Sequence, residues 1–155
     1  MDDRPILSPK AARRTRLPGT RIMQSPVIRF IGRVLLVEDN PINRLIAGEL
    51  LERLGVQFEF AEDGSEALGK LAAAEFDLVL MDCLMPRLDG FAATRQWREQ
   101  ERVTGRPRTP IVAVSANATA EDRERCMEAG MDDFLAKPIQ LHGLGSLVAR
   151  YLRAA

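Results

Sequence analysis

Histidine is nearly absent from this chain: His142 is the single one among 155 residues, and cysteine is limited to Cys83 and Cys126. The cysteines lack CxxC spacing and have one imidazole to share, so a zinc site has too few ligands and a disulfide framework is excluded. Two free thiols in a reducing compartment are the simplest account. No run of about 18 apolar residues is present to span a bilayer, and no apolar core follows the N-terminal charges as a secretory signal requires. The chain is therefore expected to be soluble and cytoplasmic, with no membrane contact of its own, whether it stands alone or forms the cytoplasmic part of a membrane-bound protein. Aromatics are few, one Trp, one Tyr and six Phe. None is interleaved with the basic residues as a nucleic-acid surface would have it.

A composition 46% hydrophobic and 28% charged is enough to fill one core. The net charge of zero hides an asymmetry. Residues 1–33 hold eight Lys or Arg against two Asp, and residues 34–155 hold fourteen against twenty acidic groups. Residues 1–32, with Pro5, Pro9, Pro18, Pro26 and the cluster Arg13-Arg14-Thr15-Arg16, show no sustained periodicity and read as a basic flexible linker or extension, with residues 33–155 as the folded domain. The apolar patch around Ile28, Phe30 and Ile31 is a candidate to pack on that domain.

From Arg33 onward hydrophobic runs and helical periods alternate. Strands are expected at 33–38, 57–61, 77–82, 110–115 and 132–136, and helices at 41–54, 65–74, 89–101, 119–129 and 140–153. Five βα units in this rhythm specify an α/β domain with a doubly wound, flavodoxin-like parallel sheet. Asn40 before Pro41 suits an N-cap and first helical position, and Ile42, Leu45, Ile46, Leu50 and Leu54 mark one helical stripe. Thr119 with Asp122 reads as a capping pair. The strands at 57–61 and 132–136 are the least apolar, which suits sheet edges and gives the order 2-1-3-4-5.

Two apolar runs stop on carboxylates: Val34-Leu35-Leu36-Val37 on Glu38-Asp39, and Leu78-Val79-Leu80-Met81 on Asp82. The carboxyl edge of an open α/β sheet, where the strand order reverses, is its ligand-binding edge. Glu38, Asp39 and Asp82 are expected to meet there. Such a cluster repels itself without a cation, and Mg²⁺ suits an oxygen donor set completed by phosphate. Ser115 and Lys137, at two further strand ends, supply a hydroxyl and an ammonium for phosphoryl oxygens.

The strings Val37-Glu38-Asp39-Asn40, Met81-Asp82-Cys83-Leu84-Met85-Pro86, Ser115-Ala116 and Lys137-Pro138 resemble the receiver domain of bacterial two-component response regulators over roughly residues 33–153. The resemblance implies that Asp82 takes a phosphoryl group from the phosphohistidine of a histidine kinase or a histidine phosphotransfer domain, and that Glu38, Asp39, Asp82 and the Leu84 carbonyl hold Mg²⁺. It also implies that Lys137 offsets charge, while Ser115 and Phe134 turn inward as a switch. That switch would reshape the face of the fourth helix, fifth strand and fifth helix for a downstream protein. The segments Glu38 to Arg44, Ser115 to Ala118 and Ala129 to Ile139 look like receivers fused to hybrid sensor kinases. There, Ile42, Ile46 and Pro138 would dock the helical phosphodonor.

A free-standing single-domain regulator is the alternative context, and a phosphorylation-independent interaction module a further one. A Mg²⁺-dependent aspartate-nucleophile phosphatase would need a second Asp two positions after the nucleophile, where Leu84 stands. A flavin protein would need a phosphate-cradling loop where Glu38-Asp39-Asn40-Pro41 stands. Trp97, Phe91 and the methionines read as packing, Cys83 as a buried neighbour, and His142 as a surface residue near a helix start.

Overall fold

A computed structural model describes residues 29–85 and 87–155. The proline-rich arm, Ile28 and Pro86 lie outside the described residues. The chain runs β1 (Phe30–Ile31), β2 (Arg33–Val37), α1 (Pro41–Arg53), β3 (Gln57–Ala61), α2 (Gly64–Ala73), β4 (Leu78–Asp82), α3 (Gly90–Thr104), β5 (Ile111–Ser115), α4 (Ala120–Ala129), β6 (Asp133–Ala136), α5 (Leu141–Tyr151) and β7 (Arg153–Ala154). Five strands form a parallel sheet in the order β3-β2-β4-β5-β6. Counted along that sheet this is the expected 2-1-3-4-5, with the two least apolar strands at its edges.

Alternation along the strands builds two cores. Leu35, Val37, Val79, Met81, Ile111 and Ala113 face α2, α3 and α4, where Leu71, Trp97 and Cys126 meet them. Val34, Leu36, Leu78, Leu80, Val112 and Val114 face α1 and α5, where Leu51, Leu144 and Val148 meet them. The central strands are buried on both faces, which is why they read as unbroken apolar runs. Each such Leu or Val contributes about 1.5–3 kcal/mol by leaving water.

Helix ends follow the sequence chemistry. Asn40 Oδ1 accepts from the Ile42 and Asn43 amides at 2.8 and 3.1 Å, and Pro41 opens α1. Thr119 Oγ1 accepts from the Asp122 amide at 3.1 Å. The stripe on α1 is only half buried: Ile42, Leu45 and Ile46 are 67%, 64% and 50% exposed, and the face on the sheet is Ala47, Gly48 and Leu51. α3 runs to Thr104 and stops at Gly105 in the left-handed region, so residues 102–104, read as loop, are helical.

The short β1 pairs antiparallel with β7 through Phe30–Ala154 and Ile31–Arg153. Phe30 packs against the α1/α5 core. Between β1 and β2 the chain turns at Gly32, φ 131°, where a Cβ would lie 2.7 Å from Asp77 Oδ2. This ribbon sits at the amino edge of the sheet, opposite the carboxylates.

Candidate functional site

Register explains why distant residues converge. Val37 pairs with Met81, so Glu38 and Asp82, each one residue further on, leave neighbouring strands at the same level. Asp82 pairs with Val114 and Ser115 with Ala136, so Ser115 and Lys137 follow at the same edge. Glu38, Asp39 and Asp82 each offer a carboxylate oxygen, all within 4.8 Å of one another. Lys137 Nζ stands 3.1 Å from Glu38 Oε1 and 3.4 Å from Asp82 Oδ2.

Glu38 and Asp82 are buried, at 4% and 5% exposure, while Asp39 is more open. Burial pushes the Asp82 carboxyl up to about 6, with Glu38 adding to the rise and Lys137 opposing it. Burial alone would lower the Lys137 ammonium, but Asp82 and Glu38 more than offset this and hold it above its ordinary value. Three carboxylates around one ammonium leave an excess of negative charge in a poorly solvated edge. A hard divalent cation fits that excess and the all-oxygen donor set. A thiophilic metal does not, since the neighbouring Cys83 is buried in the core, its sulfur 3.9 Å from Cys126 Sγ.

The loops carrying the acids are tied down. The Asn40 amide donates to Glu38 Oε2 at 3.2 Å, and the Leu84 amide lies 3.4 Å from Asp82 Oδ1. Gly90 N donates to the Cys83 carbonyl at 3.1 Å, and a Cβ on Gly90 would come within 2.3 Å of Asp82 O, so only glycine allows α3 to start there. Arg87, at φ 65°, reaches across to Asp63, the N-cap of α2, with Nε 2.9 Å from Oδ2.

Not every expected residue points into the cluster. The Ser115 hydroxyl accepts from the Asn117 amide at 3.1 Å and donates to the Asn117 carbonyl at 3.3 Å, a local turn rather than a contact with the acids. Phe134 is half-buried against the α2/α3/α4 core, with the Arg123 guanidinium 4.7 Å from its ring centroid. The Leu84 side chain is exposed. Ile46 and Pro138 line a groove of about 320 Å³ with Glu38, Ala116, Lys137 and Ile139, and Ile42 stands exposed on the same helix. His142 is exposed near the start of α5.

Sequence reasoning gave no role to Arg44. Its Nη1 donates to the carbonyls of Glu38 and Asp39 at 3.0 and 3.2 Å. Its place one turn into α1, on the side of the Asn40 cap, was the available signal. The Arg87–Asp63 pair spans 24 residues and had none.

Together these features define a class: doubly wound α/β domains with an acidic cation site and a lysine at the switch point of the sheet. The chain belongs to the response regulator receiver domain family, whose model matches residues 34–149. It is 36% identical over 126 residues to the hybrid signal transduction histidine kinase L of Dictyostelium discoideum, an alignment covering 79% of this chain and 7% of that protein. Among solved structures it is similar to the receiver domain of sensor histidine kinase PA1611 from Pseudomonas aeruginosa PAO1, which carries a magnesium ion in its active site cleft. That likeness has a TM-score of 0.70 and 42% identity, covering 77% of this chain and 96% of the other. It is also similar to a chain in the complex of the Saccharomyces cerevisiae phosphotransfer protein Ypd1 with the receiver of Ssk1, with TM-score 0.73 and 29% identity over 82% of this chain and 91% of that one. The phosphoacceptor character of the family is thereby the character of this domain.

Proposed function

We propose that Asp82 accepts a phosphoryl group from a phosphohistidine in a two-component phosphorelay, in the presence of Mg²⁺ held by Glu38, Asp39, Asp82 and the Leu84 carbonyl. The observation that carries this is the convergence of three carboxylates with Lys137 at one sheet edge. An ionised Asp82 oxygen attacks phosphorus, the P–N bond to the imidazole breaks, and a P–O bond forms an acyl phosphate on Asp82. Bound Mg²⁺ supplies the positive charge that lets carboxylate and phosphoryl oxygens approach. Lys137, within reach of both Glu38 and Asp82, transfers its contact to a phosphoryl oxygen. Ser115 exchanges its Asn117 contacts for another, and Phe134 turns toward the space left behind.

The downstream consequence is a changed α4/β6/α5 face that contacts a partner protein. The exposed Ile42 and Ile46, with Pro138 across the groove, form an apolar landing for a helical phosphodonor beside the acids. The hybrid histidine kinases to which the chain is similar, and of whose length it spans only 6–7%, favour the cytoplasmic receiver of such a kinase as context. Among the described residues, no helix is long and apolar enough to cross a membrane. The domain acts as its own phosphorylation substrate rather than as a turnover enzyme.

Incubation with acetyl phosphate, or with a phosphorylated histidine phosphotransfer protein, in Mg²⁺ is expected to add one phosphoryl group by intact mass to wild type and none to Asp82→Asn. Equal labelling of the two, or labelling that survives EDTA, would reject the assignment.

A further inference from the structure

Among the described residues, the Arg44 guanidinium forms no ion pair with a carboxylate side chain. Its Nη1 instead donates to two consecutive backbone carbonyls, those of Glu38 and Asp39, while its own amide donates to the Asn40 carbonyl at 2.9 Å as α1 begins. The turn between β2 and α1 is thus held from inside by one guanidinium nitrogen. Both residues so gripped are members of the acidic cluster, and the turn is further fixed by the Asn40 amide on Glu38 Oε2.

We propose that Arg44 is a positioning residue for cation binding, holding the Glu38-Asp39 backbone so that both carboxylates face Asp82. This rests on the Mg²⁺ reading given above and adds to it the device that preorganises the site. Two carboxylates on adjacent residues repel each other and Asp82, and an unrestrained turn relaxes by swinging Asp39, the more open of the three, into water. Tying both carbonyls to one side chain rooted in α1 opposes that swing before a cation arrives. Residues that orient metal ligands in this way typically carry about 10–100-fold in metal affinity.

The sign of the effect separates positioning from charge. A guanidinium near an acidic site repels an incoming cation, so if Arg44 acted only through its charge, its removal would tighten Mg²⁺ binding. If it holds the turn, removal weakens binding although a repulsive charge has gone. Mg²⁺ titration of the unphosphorylated protein, followed by amide shifts, is expected to give a dissociation constant about tenfold weaker for Arg44→Met. Arg44→Lys, which keeps donors able to reach a carbonyl, is expected to fall between Arg44→Met and wild type. The Asn40 amide should lose hydrogen-exchange protection in Arg44→Met and retain it in Arg44→Lys. Wild type that binds Mg²⁺ together with an Arg44→Met variant that binds equally or more tightly overturns this inference alone. Wild type that fails to bind Mg²⁺ overturns the acidic-site reading as well. Should Arg44→Met fail to fold, Arg44→Lys decides: affinity tighter than wild type refutes the positioning role.

Discussion

Asp82 is a carboxyl held where ionisation is opposed first by burial and then by Glu38, with a folded value of about 6 against an ordinary 3.8. In the metal-free protein the folded state therefore binds this proton more tightly than the unfolded chain does. The contribution of Asp82 to stability thus rises as pH falls from above 6 toward 4 and is least favourable at neutral pH, where its carboxyl is charged. Asp82→Asn removes the penalty and is expected to be more stable than wild type by about 1–2 kcal/mol at pH 7 in EDTA, with the gap closing near pH 4. Saturating Mg²⁺ should stabilise wild type and leave the variant largely unmoved. Urea melts across that pH range check both points, and parallel curves for the two proteins would show that Asp82 does not carry the strain. Such a residue is legible in sequence because an apolar run that ends in a carboxylate is unusual. The hydroxyl of Ser115, by contrast, was legible only as a location, since its Asn117 contacts depend on the turn that follows β5.

Among the elements, α2 shows how a helix start can double as a fastening for the phosphoacceptor loop. Asp63 caps it by accepting from the Glu66 amide at 2.9 Å and is gripped by Arg87 from the segment between β4 and α3. The Glu66 amide, then Arg87, hold the Asp63 carboxyl below its ordinary value. A lowered folded value means that the stabilisation is present above the unfolded value and is lost as pH falls through the folded one. Asp63→Ala is expected to cost about 1 kcal/mol at pH 7, as a lost N-cap does, and progressively less as pH falls below the ordinary carboxylate range. A loss in the variant that persists unchanged in acid would point to packing rather than to the charged cap. Arg87→Ala should cost less, because the guanidinium is exposed, and Arg87→Gly less again, because glycine accepts φ 65° freely. The elements themselves were readable from periodicity and caps, down to Asn40-Pro41 and Thr119. The face of α1 was not: Ile42 and Ile46 lie in the apolar stripe yet remain exposed, because the face turned to the sheet is that of Ala47, Gly48 and Leu51.

At the scale of the whole molecule the sheet has a chemical end and a mechanical end. The carboxyl edge gathers Glu38, Asp82 and Lys137, while at the amino edge β1 and β7 zip together and Ala155 N donates to the Arg29 carbonyl at 2.9 Å. Two-residue strands carry no period, so this ribbon was visible in the sequence only as an apolar patch beside a basic arm. α5 connects the two ends, starting near Lys137-Pro138 and finishing where Arg150 and the Tyr151 hydroxyl, the latter at 3.1 Å, bind Asp133 at the foot of β6. If the ribbon only seals the base of the α1/α5 core, loosening it should cost stability and leave phosphoryl capture alone. Phe30→Ala, at a half-buried ring, is expected to cost about 1–2 kcal/mol, less than the 3–5 kcal/mol of a fully buried phenylalanine. Its initial rate of phosphorylation by acetyl phosphate should match wild type at a temperature where both are folded, because the end of the sheet carrying Asp82 and Lys137 is untouched. A variant of unchanged stability would mean that Phe30 contributes no packing, and a changed rate would mean that α5 transmits strain from one end of the sheet to the other.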